Sequence, residues 1–425
     1  MNRVDKIVFT LLFGLLLFVS LNRHSRHPRF EYHSQIFSDK AGYHVYLPAY
    51  FYYDMDGRNM PAALDSLVGR GFQLDRDKII TKYPIGVAIL HAPFFGIAAA
   101  LDGIQGEAEY LGYTHNQHLA LNWSTAVYGT LGLLMIFLLA VREWQLSRSR
   151  AYLLVVMLLG CSNLLYYLTR DAGMSHGYLF FCYALILTLW YRFKHFQSWH
   201  ALAAIIALSL LAISMRHINS VFFVVGMGYF IAEAKSQLKL INTSLWAKGV
   251  GVGLLIGSVP LILQAMYNRY AYGTVLSSGY SEESFINVLH PRLLEFWLAP
   301  NNGVLLYAPI LLLALYGVVR HSMYNRNVLF FAALFVLPSI IYASWWSPTL
   351  GCGFGHRGFT ELLAFFSFPI SLGLRDYNLS RIKFTWFVAI MVTCVLFVAQ
   401  WNFDGCWYGN GAWDWNELVS LLSFQ

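Results

Sequence analysis

Apolar stretches long enough to cross a bilayer recur along this whole chain, and no other feature of the sequence restricts its fold as much. A hydrocarbon core takes roughly 17–25 helical residues. Stretches of about this kind lie near 5–21, 119–141, 149–168, 175–193, 199–214, 217–234, 247–266, 303–319, 328–343, 359–374 and 384–401. A spanning segment must satisfy its own backbone hydrogen bonds, so each is expected to be helical. Hydrophobic residues make up 57% of the chain and charged residues 12%, the latter about half the roughly 25% usual in soluble domains. That excludes a soluble enzyme, a disordered chain and a disulfide scaffold. Five cysteines without a Cys-x-x-Cys pair give no metal or redox motif.

A twelfth apolar stretch, 84–101, opens with Pro84 and contains His91 and Pro93. Loop charge decides its expected course, because Lys and Arg in short loops favour the cytoplasmic side. If 84–101 stays out of the bilayer and the N-terminus is inside, the inner segments hold Arg142, Arg148, Arg150, Arg192, Lys194, Lys235, Lys239, Lys248, Arg320, Arg326, Arg375, Arg381 and Lys383. The short outer segments then hold only Arg170, Arg216, Arg269, Arg292 and Arg357. The net charge of +7 is therefore an orientation signal, and no nucleic-acid partner is expected. Residues 22–117 become a long first external loop with a juxtamembrane helix at 84–101. Residues 267–302 form a second external loop, and 402–425 an external tail. No repeat or separate soluble domain is visible, and 1–21 reads as an uncleaved signal anchor.

The polar residues that need a reason gather on that outer side. They are Ser38-Asp39-Lys40-Ala41-Gly42-Tyr43, Thr81-Lys82-Tyr83-Pro84, Thr169-Arg170-Asp171 through Ser175-His176, Met215-Arg216-His217, and Gly353-Phe354-Gly355-His356-Arg357 with Glu361. Ionisable groups at a membrane are costly and usually serve a site. A transporter would spread them through the midplane, whereas these favour chemistry at one face.

The whole chain resembles the GT-C glycosyltransferases that use a polyprenyl-phosphate-linked sugar, including bacterial protein O-mannosyltransferase-like and lipid A aminoarabinose transferase-like enzymes. Asp39 in SDKAGY matches the acidic position of the first external loop, and Lys82 in TKYPIG the juxtamembrane lysine. TRDAGMSHG is similar to the segment between spans three and four, with His176 where Asp is commoner. WWSPTLGCGFGHRGFTELL resembles the Gly-rich segment before a late span. The resemblance implies an all-α polytopic membrane protein of GT-C type, one domain over 1–425. It would have about eleven transmembrane helices and a long first external loop carrying juxtamembrane helices. It implies a bacterial inner-membrane location with the site facing the periplasm. The partners implied are a polyprenyl-phosphate-linked sugar donor, membrane lipid, and an acceptor glycan, lipid or protein.

Inverting transfer from a sugar phosphate needs a base for the acceptor hydroxyl and cations for the leaving phosphate. A carboxylate at an apolar membrane surface can have its pKa raised to suit a base, and Asp39 takes that role here. Lys82 and Arg357 are the expected phosphate clamps. Lys40, Tyr43, Tyr83, Arg170, Asp171, His176, Arg216, His356 and Glu361 complete the substrate-binding candidates. The structural alternatives are an Asp39–Lys40 pair or N-cap, Lys82 snorkelling to headgroups, an Arg357–Glu361 pair four residues apart, an Arg170–Asp171 pair fixing its turn, and an interfacial Arg216–His217 anchor. A divalent metal could be held through Asp39, Asp171 and His176, although no spacing forces one and no cofactor is assigned. The second loop carries Tyr267-Asn268-Arg269-Tyr270, Gly273, Ser277-Ser278-Gly279-Tyr280 and Trp297, and its Tyr and Trp residues suit either a sugar wall or a membrane belt. Cys352 and Cys406 share the outer side, where a disulfide is chemically allowed. The rival functions are an O-antigen-type polymerase or ligase and a lipid-linked-sugar transporter or flippase.

Overall fold

The structure is a computed structural model. It describes the chain except Ser25, 107–109, 238–242, Ser278, 281–282, 322–326, Asn410 and 424–425, and except the side chains of 229–237 and 327–329. Lys239, Arg326 and the side chain of Lys235, which belong to the expected inner charge, lie outside the described residues.

All the apolar stretches fall on helix, and five of these described helices are long and apolar enough to cross a membrane. They are Arg3–His24, Gly86–Gln105, His115–Arg142, Thr243–Tyr272 and Leu379–Asn402. Shorter apolar helices include Trp199–Ile213 and Ile310–His321. Two expected spans are broken rather than continuous. Stretch 149–168 divides into Arg148–Gly160 and Leu164–Thr169. Ser162 Oγ there donates to the Leu158 carbonyl (2.5 Å) and accepts from the Leu164 amide (3.1 Å). Stretch 303–319 divides into Val304–Tyr307 and Ile310–His321. Ala308 leaves the helical region there (φ −137°, ψ 58°), as the residue before a proline tends to. The largest core fills the space among His115–Arg142, Arg148–Gly160, Ser175–Phe196 and Leu363–Asp376, with Leu133, Leu154, Phe180 and Phe366 fully buried.

Residues 84–101 are helical throughout Gly86–Gln105, with Pro93 inside. This helix lies antiparallel along His115–Arg142. Tyr128 OH donates to the Leu90 carbonyl (2.9 Å), Gln117 Nε2 to the Phe95 carbonyl (3.2 Å), and the His91 and Ser124 side chains hydrogen-bond at 3.1 Å. By length and composition it meets the same standard as the other four.

The long segment between the first helix and His115–Arg142 is folded, not merely a connection. It holds short helices Asp39–His44, Tyr46–Tyr52 and Leu64–Leu67 and an antiparallel hairpin, β1 (Gln73–Asp75) and β2 (Lys78–Ile80), in which Leu74 faces Ile79. Ile36, Ala41, Val45, Leu64, Val68, Phe72 and Tyr113 form its own small core. Two glycines bring the functional segments together. A Cβ on Gly42 would collide with the Tyr83 ring and the Gly71 carbonyl, and one on Gly71 with the Ser38 carbonyl and the Gly42 amide. Their bare backbones touch, and Thr81 Oγ1 lies within hydrogen-bond reach of both the Gly42 and Gly71 carbonyls (3.1 and 3.2 Å). The Thr81 amide donates to Tyr267 OH (2.6 Å), while Tyr272 OH donates to the Thr81 carbonyl (2.9 Å) and Tyr46 OH to the Tyr83 carbonyl (2.5 Å). At about 1 kcal/mol for a typical bond, this set holds 81–83 between Asp39–His44, Tyr46–Tyr52 and the end of Thr243–Tyr272.

Candidate active site

Asp39 is the first residue of its short helix, entered through Ser38 at φ 51° without a side-chain cap. Its Oδ1 accepts the Tyr83 hydroxyl and its Oδ2 accepts Arg357 Nη1 at 2.8 Å. Both the Asp39 and Arg357 side chains are about a quarter exposed. They open on a polar cleft whose wall also carries Arg23, Lys40, Arg170, Asp171 and Asp404. Lys40 pairs with Asp171 (3.3 Å) rather than with Asp39.

The electrostatics of Asp39 correct the expected raised pKa. Burial does push its carboxyl up. The Arg357 charge, the hydrogen bonds from Tyr83 and Arg357, and the Lys82 charge outweigh it and hold the group below the usual aspartate range. Burial likewise works against the Arg357 charge, and the Asp39 carboxylate more than restores it.

A second polar group adjoins this pair without lining the cleft. Lys82 Nζ donates to Glu283 Oε1 (2.6 Å) and lies over the Tyr280 ring (5.2 Å), and Trp346 Nε1 donates to Glu283 Oε2 (3.3 Å). Tyr43 stacks near Tyr83, with ring centroids 4.8 Å apart, and its hydroxyl reaches Ser175 Oγ (3.4 Å). Glu361 is completely buried. Its Oε1 accepts Arg216 Nη1 (2.6 Å), and its Oε2 pairs with His176 Nδ1 (2.8 Å).

Several sequence expectations are therefore redrawn. Arg357 and Glu361 do not pair. Residues 357–359 form a 3₁₀ turn and Glu361 precedes the α-helix Leu363–Asp376, so helical four-residue spacing does not apply. Arg170 and Asp171 do not pair either: Arg170 donates to the carbonyls of Gln400 and Trp401. Arg216 is no interfacial anchor, because it neutralises Glu361. His356 is packed inside between Phe296 and Tyr342, with its Nε2–H donating to the Pro348 carbonyl (3.1 Å). Burial lowers its pKa to about 3, which leaves it a neutral packing residue away from the cleft. The trio Asp39, Asp171 and His176 is not assembled, since each has a different partner, and the described residues contain no cluster of three or more metal-ligand side chains.

The second loop buttresses Thr81 and Lys82 through Tyr267, Tyr272 and Tyr280 rather than lining the cleft; Ser278 lies outside the described residues. Cys352 and Cys406 are bonded (Cα–Cα 4.2 Å), and the Gly353 amide donates to the Gly405 carbonyl (3.0 Å). The tail is thereby strapped to the Gly-rich segment, so that Asp404 and Gly405 form part of the cleft wall. No motif in the sequence points to Glu283 or Arg23 as a site residue. Arg23 has a usable signal all the same, as a cation in the last turn of the first helix.

The chain is thus a helical, multi-pass membrane protein with a polar cleft built in part on the folded segment 22–117. Its fold is similar to the crystal structure of the Archaeoglobus fulgidus oligosaccharyltransferase in its apo form, with a TM-score of 0.53 and 12% sequence identity, over 96% of this chain and 57% of that one. The chain so spans little more than half the length of that protein. No protein-family model and no curated protein matches it.

Proposed function

We propose that this protein is a GT-C membrane glycosyltransferase that moves a sugar from a polyprenyl-phosphate donor to an acceptor hydroxyl, with inversion, at the outer face of a bacterial inner membrane. The observation that carries the reading is the Asp39–Arg357 pair. It places a carboxylate and a guanidinium together on an open cleft, with the Lys82 charge acting on the same carboxylate. The oligosaccharyltransferase fold supports a glycosyl-transfer role.

In the proposed cycle the donor phosphate competes with Asp39 for Arg357 and draws on Lys82. Charge-assisted contacts to phosphate are strong enough to exchange for a carboxylate partner. Asp39, relieved of Arg357, becomes the more basic group. Its carboxylate takes the proton of the acceptor hydroxyl as that oxygen bonds to the anomeric carbon. The bond from carbon to phosphate oxygen breaks, and its electron pair leaves with polyprenyl phosphate. That leaving group needs no acid, unlike an ordinary glycoside.

Vesicles containing the purified protein, radiolabelled polyprenyl-phosphate sugars and cell-envelope acceptors are expected to yield labelled acceptor with inverted anomeric configuration. No transfer from any donor by intact protein would sink the reading.

A further inference from the structure

The cleft carries more cation than its own carboxylates use. Asp39 is engaged by Arg357, and Asp171 by Lys40. Arg23, Arg170 and Asp404 remain on the wall. Arg23 makes no ion pair among the described residues. Arg170 spends one nitrogen on the carbonyls of Gln400 and Trp401 and has no carboxylate. Asp404, 60% exposed, is one carboxylate facing two guanidinium groups; its other contact is His33 Nε2 (3.0 Å), an imidazole whose charge burial disfavours. Burial lowers the Arg170 pKa to about 10, with Asp404 and Asp171 restoring only part of the loss. Partly buried guanidinium groups without a carboxylate are costly, and an anionic ligand would offset that cost with forked hydrogen bonds.

The position of these cations says which substrate they would meet. Displacement with inversion puts the nucleophile and the leaving group on opposite faces of the anomeric carbon. Asp39 and Arg357 both line the cleft, whereas Lys82 does not. With Arg357 and Lys82 given to the donor phosphate, Arg23 and Arg170 are the wall cations left for the acceptor, whose hydroxyl has to meet Asp39. The rings of Tyr32, Phe37 and Tyr166 share the wall with the two arginines and offer apolar surface to the CH faces of a sugar.

We infer that the cleft selects a saccharide acceptor bearing an anionic group, a carboxylate or a phosphate ester, which Arg23 and Arg170 hold while the acceptor hydroxyl meets Asp39. This inference rests on the glycosyl-transfer reading, but its binding test does not need a donor. Purified full-length protein is titrated with a glucuronate-terminated disaccharide, its 6-phosphoglucosyl counterpart, its neutral glucosyl counterpart and an acidic peptide. At least one acidic disaccharide is expected to bind about tenfold or more tighter than the neutral one, the scale of one charge-assisted contact. The carboxylate and phosphate arms tell the two anion sources apart. Arg170→Gln should bring that ratio close to one. Arg23→Gln should do the same without touching the Arg170 contacts that help hold the 400–401 backbone.

Equal binding of neutral and acidic sugars, tighter binding of the peptide, or an unchanged ratio in both variants would overturn the inference. With donor added, transfer to neutral and acidic acceptors at equal efficiency defeats only the acid selection. Absence of any transfer defeats the enzyme reading instead.

Discussion

Two arginine–carboxylate pairs stand in one polar network, and they differ in access rather than in bonding. Asp39 gives one oxygen to Tyr83 and the other to Arg357; Glu361 gives one to Arg216 and the other to His176. Asp39 and Arg357 are each about a quarter exposed on the cleft, while Glu361 is fully buried. A ligand can compete for Arg357, but none can reach Glu361 without unfolding its surroundings. Identical chemistry thus serves a replaceable contact in one place and a fixed one in the other.

The largest expected effect separates the two by function. Asp39→Asn keeps the size of the side chain and removes the base, which is worth roughly 10²–10⁴-fold in rate. Transfer should fall by that factor with the unfolding temperature nearly unchanged, since a partly exposed pair contributes only about 0–1 kcal/mol. Activity within about tenfold of wild type would reject Asp39 as the base. Glu361→Ala should do the reverse. It strands Arg216 without its carboxylate, a change that costs about 3–5 kcal/mol at buried pairs. Thermal unfolding in detergent should show a clear loss of stability, and a variant as stable as wild type would erase the distinction drawn between the pairs.

The sequence shows which residues belong to this network more readily than it shows how they pair. Asp39, Lys82 and Arg357 stand out because each is an ionisable group in a short motif beside apolar sequence. Their partners lie far away along the chain: 318 residues separate Asp39 from Arg357, 201 separate Lys82 from Glu283, and 145 separate Arg216 from Glu361. Only tertiary packing selects among such options. Local spacing misleads in the other direction, because Arg357 and Glu361 are four apart but not on one α-helical turn. Helices are legible from apolar length, yet the breaks at Ser162 and Pro309 are not, since the hydropathy continues through them. The contact between Gly42 and Gly71 is likewise invisible in sequence, although it sets Asp39 against Tyr83.

A smaller effect concerns the wall shared by the cleft and the tail. A native disulfide typically contributes about 2–4 kcal/mol. Here Asn302 already ties the same segments: its Oδ1 accepts from Gly355 N and Trp407 Nε1, both at 2.8 Å. Replacing Cys352 and Cys406 by serine should therefore cost near the lower end, about 2 kcal/mol, with the Glu361 network intact. A loss as large as that of Glu361→Ala would mean that the open side of the site is as rigidly required as its buried side.

The finest test of the comparison is the acid limb of activity. The folded pKa of Asp39 lies below its unfolded value, so the carboxylate is ionised, and its contribution to stability is present, above the ordinary aspartate value of about 3.9. Both are lost only as pH falls through the lower folded value. In the free enzyme, reported by kcat/KM, the acid limb should thus lie below about 3.9. In the donor complex, reported by kcat, Arg357 has turned to phosphate and the limb should sit higher. Arg357→Gln removes the partner outright and should raise the free-enzyme limb by about 1–3 units, the usual effect of one neighbouring guanidinium. The limb should rise because desolvation, no longer offset by Arg357, then dominates. A kcat/KM limb near pH 6 in wild type, or no movement in Arg357→Gln, would show that the proton is taken by a group other than Asp39.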